Sequence, residues 1–396
     1  MDDTSATETR PFEDVPSGAL GTDAPVAKPA RRERLVGIDV ARALAILGMV
    51  TVHFGPHGLE PVTLGEKLYG SFYGKASLLF VLVAGVGVGL LEAREPAATV
   101  RARLVYRATW LIPLGVWLQA LEHPVAVILQ YYGAYFLVLA PFVGRRSRTL
   151  LAAAAIGALV GGALVLMTRQ WAVDWLMFER GDPPLGLFGE VVLGGYYPLV
   201  TWVPPMLFGL WLARLALQRT AVQLGMVVVG AATLAATVAL SRGVLSLADA
   251  SAEPTSWWFA LSTRGHTQMP LAVLGGAGFA VAIIGASLLV ARWSSLAAAP
   301  LAAAGRLALT IYVGHLLVFD WFPDLFPADT VTEGVVHVVW FGVVTSAGAL
   351  AWLAVFPYGP LEGAVRWPWR RLVLPLLAPH AGTWPPDSGT IGTPPL

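Results

Sequence analysis

Long apolar runs recur along almost the whole chain, and they constrain the fold more than any other feature of the sequence. Ten segments approach or exceed the roughly 20 apolar residues that a helix needs to cross the hydrocarbon core of a bilayer. They lie at about 35–54, 72–92, 104–121, 124–143, 149–168, 191–215, 221–241, 269–291, 298–320 and 334–356. Because a backbone in lipid has to satisfy its hydrogen bonds internally, these runs predict an all-α, polytopic membrane bundle of about ten transmembrane helices.

Composition agrees with this reading and excludes several classes of protein. Charged residues make up 13% of the chain, about half the share found in soluble domains, and the mean hydropathy is +0.66. The net charge of +1 gives no basic field that would favour nucleic acid as a partner. The chain has no cysteine, which excludes a thiol nucleophile, a cysteine-ligated metal, disulfides and a cysteine lipid anchor.

The ends of the chain differ from its middle. Residues 1–33 are largely polar and contain several prolines, and residues 372–396 end in PPDSGTIGTPPL, so both are expected to be disordered tails around a membrane domain at 34–371. Most arginines between the runs fall on one side when the N-terminus is placed in the cytoplasm. We therefore expect a multi-pass plasma-membrane protein with both termini cytoplasmic and a sixth span kinked at Pro204-Pro205.

The first apolar run carries three polar side chains that share one helical face. At about 100° per residue, Arg42 lies roughly 60° and His53 roughly 40° around the helix from Asp39. Polar groups inside a membrane face the bundle interior, and Asp39 and Arg42 are close enough to pair. His53 lies about 16 Å further along the axis, near the opposite mouth. Two simpler readings stay open: an ion pair that anchors the helix entrance, and a neutral imidazole bonded at a helix end.

Further polar and aromatic residues map to the same side of the membrane as His53. They are His57 in the following loop, Lys75 before the second span, Tyr197 and Trp202 in the sixth, His266 before the eighth, and Tyr312 and His315 in the ninth. Histidine exchanges protons near neutral pH, so His53 or His315 is a candidate general base, with His57 as a further candidate. Lys75, Tyr312 or Tyr197 is a candidate donor to an oxyanion, and Tyr197, Trp202, His266 and Tyr312 are candidate substrate contacts.

The opposite mouth carries the candidate cofactor contacts. Arg42, Arg103 and Arg107, with Asp39 beside Arg42, are suited to binding the phosphates of a cytoplasmic cofactor, because guanidinium groups bind phosphate in a bidentate manner. The alternative is that these arginines only orient the loop. A metal site is not expected: His53 and His57 are four residues apart, but a proline separates them and no carboxylate adjoins them. A serine hydrolase is not expected either, because the G-x-S-x-G motif is missing.

Several motifs together resemble a known family. RLVGIDVARALAILGMVTVHFG resembles the opening helix of the heparan-alpha-glucosaminide N-acetyltransferase-like membrane acyltransferases. GKASLLFVLVAGVGVGLL, GYYPLVTWVPPMLFGLWLAR, GRLALTIYVGHLL and GPLEGAVR resemble the bacterial YeiB-like branch. Asp39, Arg42 and His53 match the opening-helix pattern, and the later motifs contain Lys75, Trp202, Thr310, Tyr312 and His315. The loop in which animal members carry their key histidine contains only His57.

This resemblance implies transfer of an acyl group, most simply acetyl, from cytosolic acetyl-CoA or another acyl-CoA to an extracytoplasmic carbohydrate or lipid-linked sugar, as an O- or N-acyltransferase without a metal. The alternative is a transporter or exporter of an envelope precursor that uses the same intramembrane histidine and aspartate as a proton relay. The bilayer is the expected partner under both hypotheses, and a homo-oligomer is left open.

Overall fold

The chain folds into α-helices because most of its residues have no water with which to satisfy their backbone groups. The computed structural model describes residues 34–56, 63–170, 189, 191–254, 256–325 and 328–377. These residues form α-helices with short 3₁₀ and π segments, and no strand occurs among them, so the predicted all-α class is confirmed. From Leu35 onward they belong to one compact unit.

Each of the ten predicted segments corresponds to a helix or to a pair of helices. The first six helices are α1 (Val36–Phe54), α2 (Leu64–Gly70), α3 (Lys75–Glu92), α4 (Ala97–Gln119), α5 (Leu129–Leu139) and α6 (Ser147–Gln170). They are followed by α7 (Leu199–Leu212), α8 (Thr220–Leu247), α9 (Pro270–Trp293), α10 (Ser295–Arg306), α11 (Ala308–Trp321) and α12 (Val331–Val355). The chain continues through α13 (Pro360–Pro368), a π-helical turn (Trp369–Val373) and α14 (Leu374–Leu377).

The number of full-length spans is smaller than predicted. Six of the described helices, α1, α3, α6, α8, α9 and α12, are long and apolar enough to cross a membrane. A seventh results if α10 and α11 are counted as one span, although they meet at an angle of 69°. Ten spans are therefore not confirmed: α4 does not meet the same criteria, and α5 and α7, with 11 and 14 residues, are helices of only ~16 and ~21 Å. Pro204 and Pro205 lie inside α7, and the predicted kink there stays a prediction.

The helices around α1 pack with very close backbone contacts. Gly48 of α1 faces Ala76, and Arg42 reaches Gly87, so α3 runs antiparallel to α1. A Cβ built on Gly305 of α10 would overlap the carbonyl oxygen of Asp39, and this contact requires glycine. Small residues permit such approach in membrane bundles, where van der Waals packing replaces the hydrophobic effect between helices. We refer below to the Asp39 end and the His53 end of the bundle, after the polar residues near the two ends of α1.

Several sequence predictions fall on segments outside the described residues. These segments are the N-terminal tail 1–33, the loop 57–62 with His57, and the end of the C-terminal tail, 378–396. Residues 372–377, where the second tail was expected to begin, continue the π-helical turn and α14.

Candidate active site

The two candidate bases of the first and ninth predicted spans contact each other. Nδ1 of His53 on α1 lies 3.1 Å from Nε2 of His315 on α11. Their rings are stacked, with centroids 5.3 Å apart and planes 4° from parallel. One of these nitrogens has to donate a hydrogen and the other has to accept it, so at least one ring is neutral. His315 is 2% exposed, whereas His53 is only partly buried, which makes His53 the member of the pair nearer to an incoming group.

Tyr312 fixes the surroundings of the histidine pair. It lies one turn before His315 on α11, and the two rings meet edge to face at 5.1 Å, as their spacing predicted. The Tyr312 hydroxyl accepts a hydrogen bond of 3.2 Å from the backbone N–H of Ile128, at the start of α5. The hydroxyl hydrogen is therefore available to a neighbouring acceptor, consistent with the role of an oxyanion donor.

Tyr132 of α5 connects this region to the Asp39 end, and sequence reasoning missed it. Its side chain is buried, and its hydroxyl has no hydrogen-bond partner among the described residues. It lies within electrostatic range of both Arg42 and Tyr312. Arg42, Tyr132, Tyr312 and His315 thus form a row of polar groups between the two ends of the bundle. The QYYGAYF stretch, unusually rich in tyrosine for an apolar span, was the available signal.

The predicted ion pair of the first span is present. Arg42 Nη1 lies 2.8 Å from Asp39 Oδ1, and the same nitrogen donates to the Gly305 carbonyl oxygen at 3.3 Å. Asp39 is 5% exposed, and this pairing offsets part of the desolvation cost of its carboxylate. The interaction also joins α1 to α10, directly before the bend that leads into α11.

Arg42 belongs to a larger group of charges at the Asp39 end. Arg103 of α4 donates to Glu95 at 2.8 Å, and its guanidinium carbon lies 5.1 Å above the ring of Trp369. Arg107, one turn further along α4, lies within electrostatic range of Arg42, Arg103, Arg366 and Glu95. We call Arg42, Arg103, Arg107 and Arg366 the arginine cluster. The sequence predicted its first three members and missed Arg366, Glu95 and Trp369.

The remaining predicted residues form a second group around His266. The His266 ring stacks on Trp202 at 5.9 Å and contacts Tyr197 edge to face at 5.4 Å. Lys75 lines the same cleft as Trp202 and His266. The missed residue Gln268 accepts from Trp202 Nε1 at 2.7 Å and donates to the Tyr196 carbonyl oxygen at 2.9 Å.

The His266 group stores backbone strain and disfavours a positive charge on its histidine. His266 and Gln268 have φ angles of 58° and 67°, a left-handed conformation that costs energy for residues other than glycine. Burial lowers the pKa of His266 below its ordinary value of 6.5, and a hydrogen bond with the Tyr196 carbonyl oxygen opposes this shift. His266 is therefore neutral at pH 7, which is consistent with its packing among aromatic rings.

The expected residues of the His53 end therefore divide between two places. His53, His315 and Tyr312 lie together, while Lys75, Trp202 and His266 line the other cleft. Tyr197 links the two places, because it packs on Trp202 with a centroid distance of 5.0 Å and lies within electrostatic range of Tyr312. Within the part of the chain that the structure describes, no group of three histidine or carboxylate side chains is arranged to hold a metal ion.

The fold and the site together define a class: a multi-pass helical membrane protein with a histidine pair inside its bundle. Comparison with protein families gives two matches, and the motifs quoted above lie within them. Residues 34–248 match the family described as "Heparan-alpha-glucosaminide N-acetyltransferase, catalytic", and residues 209–374 match a "Protein of unknown function (DUF418)". Because the first match covers more than half of the chain, the protein belongs to the heparan-alpha-glucosaminide N-acetyltransferase catalytic family.

The family matches confirm the resemblance drawn from the motifs and indicate membrane acetyltransferase activity. The two matched regions divide the site between them: His53 and Arg42 lie in the first, and His315 and Arg366 lie in the second. No curated protein matches the chain.

Proposed function

We propose that this protein transfers an acetyl group from acetyl-CoA, bound at the Asp39 end, to a hydroxyl or amine of a carbohydrate or lipid-linked sugar at the His53 end. The contact between His53 and His315 carries the proposal. Two imidazole rings whose facing nitrogens lie 3.1 Å apart inside an apolar bundle are costly to bury and are suited to moving a proton. The family match supports the acetyl group as the cargo.

The chemistry assigns a task to each part of the site. The acceptor oxygen or nitrogen attacks the thioester carbonyl, the new C–O or C–N bond forms, and the C–S bond breaks. The acceptor proton passes to His53, His315 shares the resulting positive charge across the hydrogen bond, and the proton ends on the CoA sulfur. Tyr312 donates a hydrogen bond to the oxyanion that develops in between. The second cleft, with Trp202, His266 and Lys75, is assigned to holding the acceptor.

The row of polar groups supports entry of the donor from the Asp39 end. Tyr132 lies within electrostatic range of Arg42 and Tyr312, and its hydroxyl, which has no hydrogen-bond partner among the described residues, can bond a polar group of the pantetheine arm. The arginine cluster has the charge and the guanidinium geometry that phosphate groups require. Placing the Asp39 end in the cytoplasm of a plasma-membrane protein, with both termini on that side, brings the cluster to the compartment that contains acetyl-CoA.

The experiment uses the full chain in lipid nanodiscs, with labelled acetyl-CoA and methyl glucosaminide as the probe acceptor. We expect His53→Gln and His315→Gln each to lower kcat by about 10²-fold or more, with little change in the KM for acetyl-CoA. The double variant should be no slower than the slower single variant, because the two rings act as one unit. His337→Gln is the control, since it removes a histidine from α12 and leaves His53, His315 and Tyr312 unchanged.

Full activity in both single histidine variants would contradict the assigned roles. The transporter hypothesis makes a different prediction: uptake into proteoliposomes that is driven by a pH gradient, needs no acetyl-CoA and is lost in the same variants. Accumulation of acetylated acceptor and free CoA in equal amounts would favour transfer over transport.

A further inference from the structure

The arginine cluster brings together more positive charge than its carboxylate partners neutralise. The guanidinium groups of Arg42, Arg103 and Arg366 all lie within electrostatic range of Arg107, which makes four positive charges. Two carboxylates, those of Asp39 and Glu95, form ion pairs with members of this group. Like charges at this range destabilise the folded protein unless an anion lies between them, and the cost grows in a half-buried site with reduced dielectric screening.

The hydrogen-bond pattern shows the same excess of donors. Three buried donor atoms in this group have no partner among the described residues: Nε of Arg103, Nε of Arg366 and Nε1 of Trp369. An unsatisfied buried donor costs about 1–3 kcal/mol, and native structures contain few of them. Their concentration within one cluster indicates a ligand with several acceptor oxygens. Glu95 Oε2, beside the cluster, is a buried acceptor that also has no partner among the described residues.

The C-terminal segment holds Arg366 and Trp369 in fixed positions. The Tyr106 hydroxyl of α4 donates to the Val365 carbonyl oxygen at 2.9 Å, and the Tyr106 ring packs on Trp369 at 5.3 Å. Arg366 lies over the ring of Tyr358, with its guanidinium carbon 4.4 Å from the ring centroid. These contacts restrain both residues before any ligand binds, which lowers the entropic cost of binding.

The segment also has the amphipathic character of a helix that lies along a membrane surface. Trp369 is 3% exposed and faces the cluster, whereas Trp367 and Leu372 are 62% and 60% exposed. Aromatic and aliphatic side chains on the outer face suit the membrane interface. The segment therefore covers the arginine cluster at the Asp39 end.

We propose that the segment Pro360–Val373 completes a binding site for a diphosphate ester, in which Arg366 and the Trp369 indole N–H join Arg42, Arg103 and Arg107 around the phosphate oxygens. The inference deepens the proposed function and rests on it for identifying the ester as the diphosphate of CoA. Planar guanidinium groups bind phosphate oxygens in pairs, and the unpartnered Nε atoms of Arg103 and Arg366 are available for such contacts.

Direct binding tests the site independently of acetyl transfer. The full chain, in nanodiscs of phosphatidylcholine alone, is titrated with inorganic diphosphate and with CoA, and dissociation constants are measured by calorimetry. We expect Arg366→Gln to weaken both probes by about tenfold or more, which corresponds to ~1.4 kcal/mol. Arg366→Lys should restore part of the affinity, because it keeps the charge but loses the planar fork.

Arg371→Gln is the matched control. It makes the same change of charge in the same segment, at an exposed residue outside the cluster, and we expect unchanged affinity. Equal affinities for the wild type, Arg366→Gln and Arg371→Gln would overturn the proposal. A thermal unfolding curve without ligand shows whether Arg366→Gln is folded, and if it is not, Arg366→Lys decides the test.

Two further measurements distinguish the source of the phosphate and separate this inference from the proposed function. Anionic phospholipid in the nanodisc should raise the dissociation constant of CoA only slightly. Binding of anionic lipid without any binding of soluble diphosphate would overturn the assignment. Tight diphosphate binding without acetyl transfer would leave the site standing and reject the proposed function. Acetyl transfer by Arg366→Gln with the wild-type KM for acetyl-CoA would leave the proposed function standing and reject the diphosphate site.

Discussion

Glu362 gives the sharpest test of how the two ends of the site are connected. This side chain of α13 caps the first turn of α11, the helix that carries Tyr312 and His315. One carboxylate oxygen accepts from the backbone N–H groups of Leu309 and Thr310, at 2.7 and 3.2 Å, and the other accepts from the Thr310 hydroxyl at 2.6 Å. α11 follows a 69° bend, so its first N–H groups cannot continue the hydrogen bonding of a straight helix.

The cost of removing this cap follows from its three hydrogen bonds. Losing an N-cap side chain costs about 0.5–2 kcal/mol, and a hydrogen bond to a charged acceptor contributes about 1.5–3 kcal/mol. Because the site is only partly buried and water can replace some of these bonds, we expect Glu362→Ala to lower the free energy of unfolding by ~2–4 kcal/mol. Glu362→Gln keeps one acceptor oxygen and should cost ~1 kcal/mol, largely from the lost charge at the helix N-terminus.

The assay combines denaturant unfolding in detergent micelles with acetyl transfer. Thr310→Val removes one partner, so the double variant should show a coupling energy of ~1 kcal/mol with Glu362→Ala. The kcat should fall with the loss of stability, because His315 lies less than two turns from the cap. Glu333→Ala is the control, because it removes a carboxylate from the capping box of α12 instead of from the cap of α11. A loss below about 0.5 kcal/mol in Glu362→Ala, or zero coupling with Thr310→Val, would refute the reasoning.

Two further predictions concern His266 and Gly305. The pKa of His266 is lower in the folded protein than in the unfolded chain, so protonation of His266 favours opening of its loop. The hydrogen-exchange protection of residues 262–269 should therefore fall as the pH drops below about 6.5, and it should not change with pH in His266→Asn. Equal pH dependence in both proteins would exclude His266 as the cause. Gly305→Ala forces a Cβ against the Asp39 carbonyl oxygen and should lower the free energy of unfolding by ~1–3 kcal/mol. Gly314→Ala is the control, because a Cβ there meets open space, and it should be neutral or stabilising. Equal stabilities of the two variants would show that the contact at Gly305 relaxes freely.

Sequence reasoning predicted relations within one helix well. Asp39 and Arg42 pair across three residues, and Tyr312 contacts His315 across the same spacing, because helical geometry fixes these neighbours. The apolar runs also located every long helix, with ends that differ from the predicted ones by at most seven residues. These features depend on local periodicity, which the sequence shows directly.

Contacts between distant helices could not be predicted in the same way. The pairing of His53 with His315 joins residues 262 positions apart, and periodicity says only that each faces the bundle interior. The proximity of Arg366 to the α4 arginines depends on how α13 folds back, which the sequence does not show. Gln268 and Glu362 lie at helix ends, where a polar residue is ordinary and gives no signal.

The prediction of ten full spans is not confirmed at the places where the candidate site lies. α5 and α7 are too short to cross the hydrocarbon core, and α10 and α11 are broken at Leu307. Irregular backbone at membrane depth is tolerated only where it is buried in protein or lines a polar cavity. The irregular segment before α5 presents the Ile128 N–H to Tyr312, and the segment before α7 carries Tyr197.

In the proposed reaction, the same geometry sets the distance across which the acetyl group is delivered. Arg42 and His53 are about 16 Å apart along α1, roughly half of the ~30 Å hydrocarbon thickness. A donor held at the arginine cluster therefore has to reach across only about half of the hydrocarbon thickness, past Tyr132, rather than across the whole bilayer. Helices of full length would separate the two sites by a continuous apolar layer. We infer that the short helices are what allow a cytoplasmic thioester and an acceptor at the opposite mouth to meet at one histidine pair.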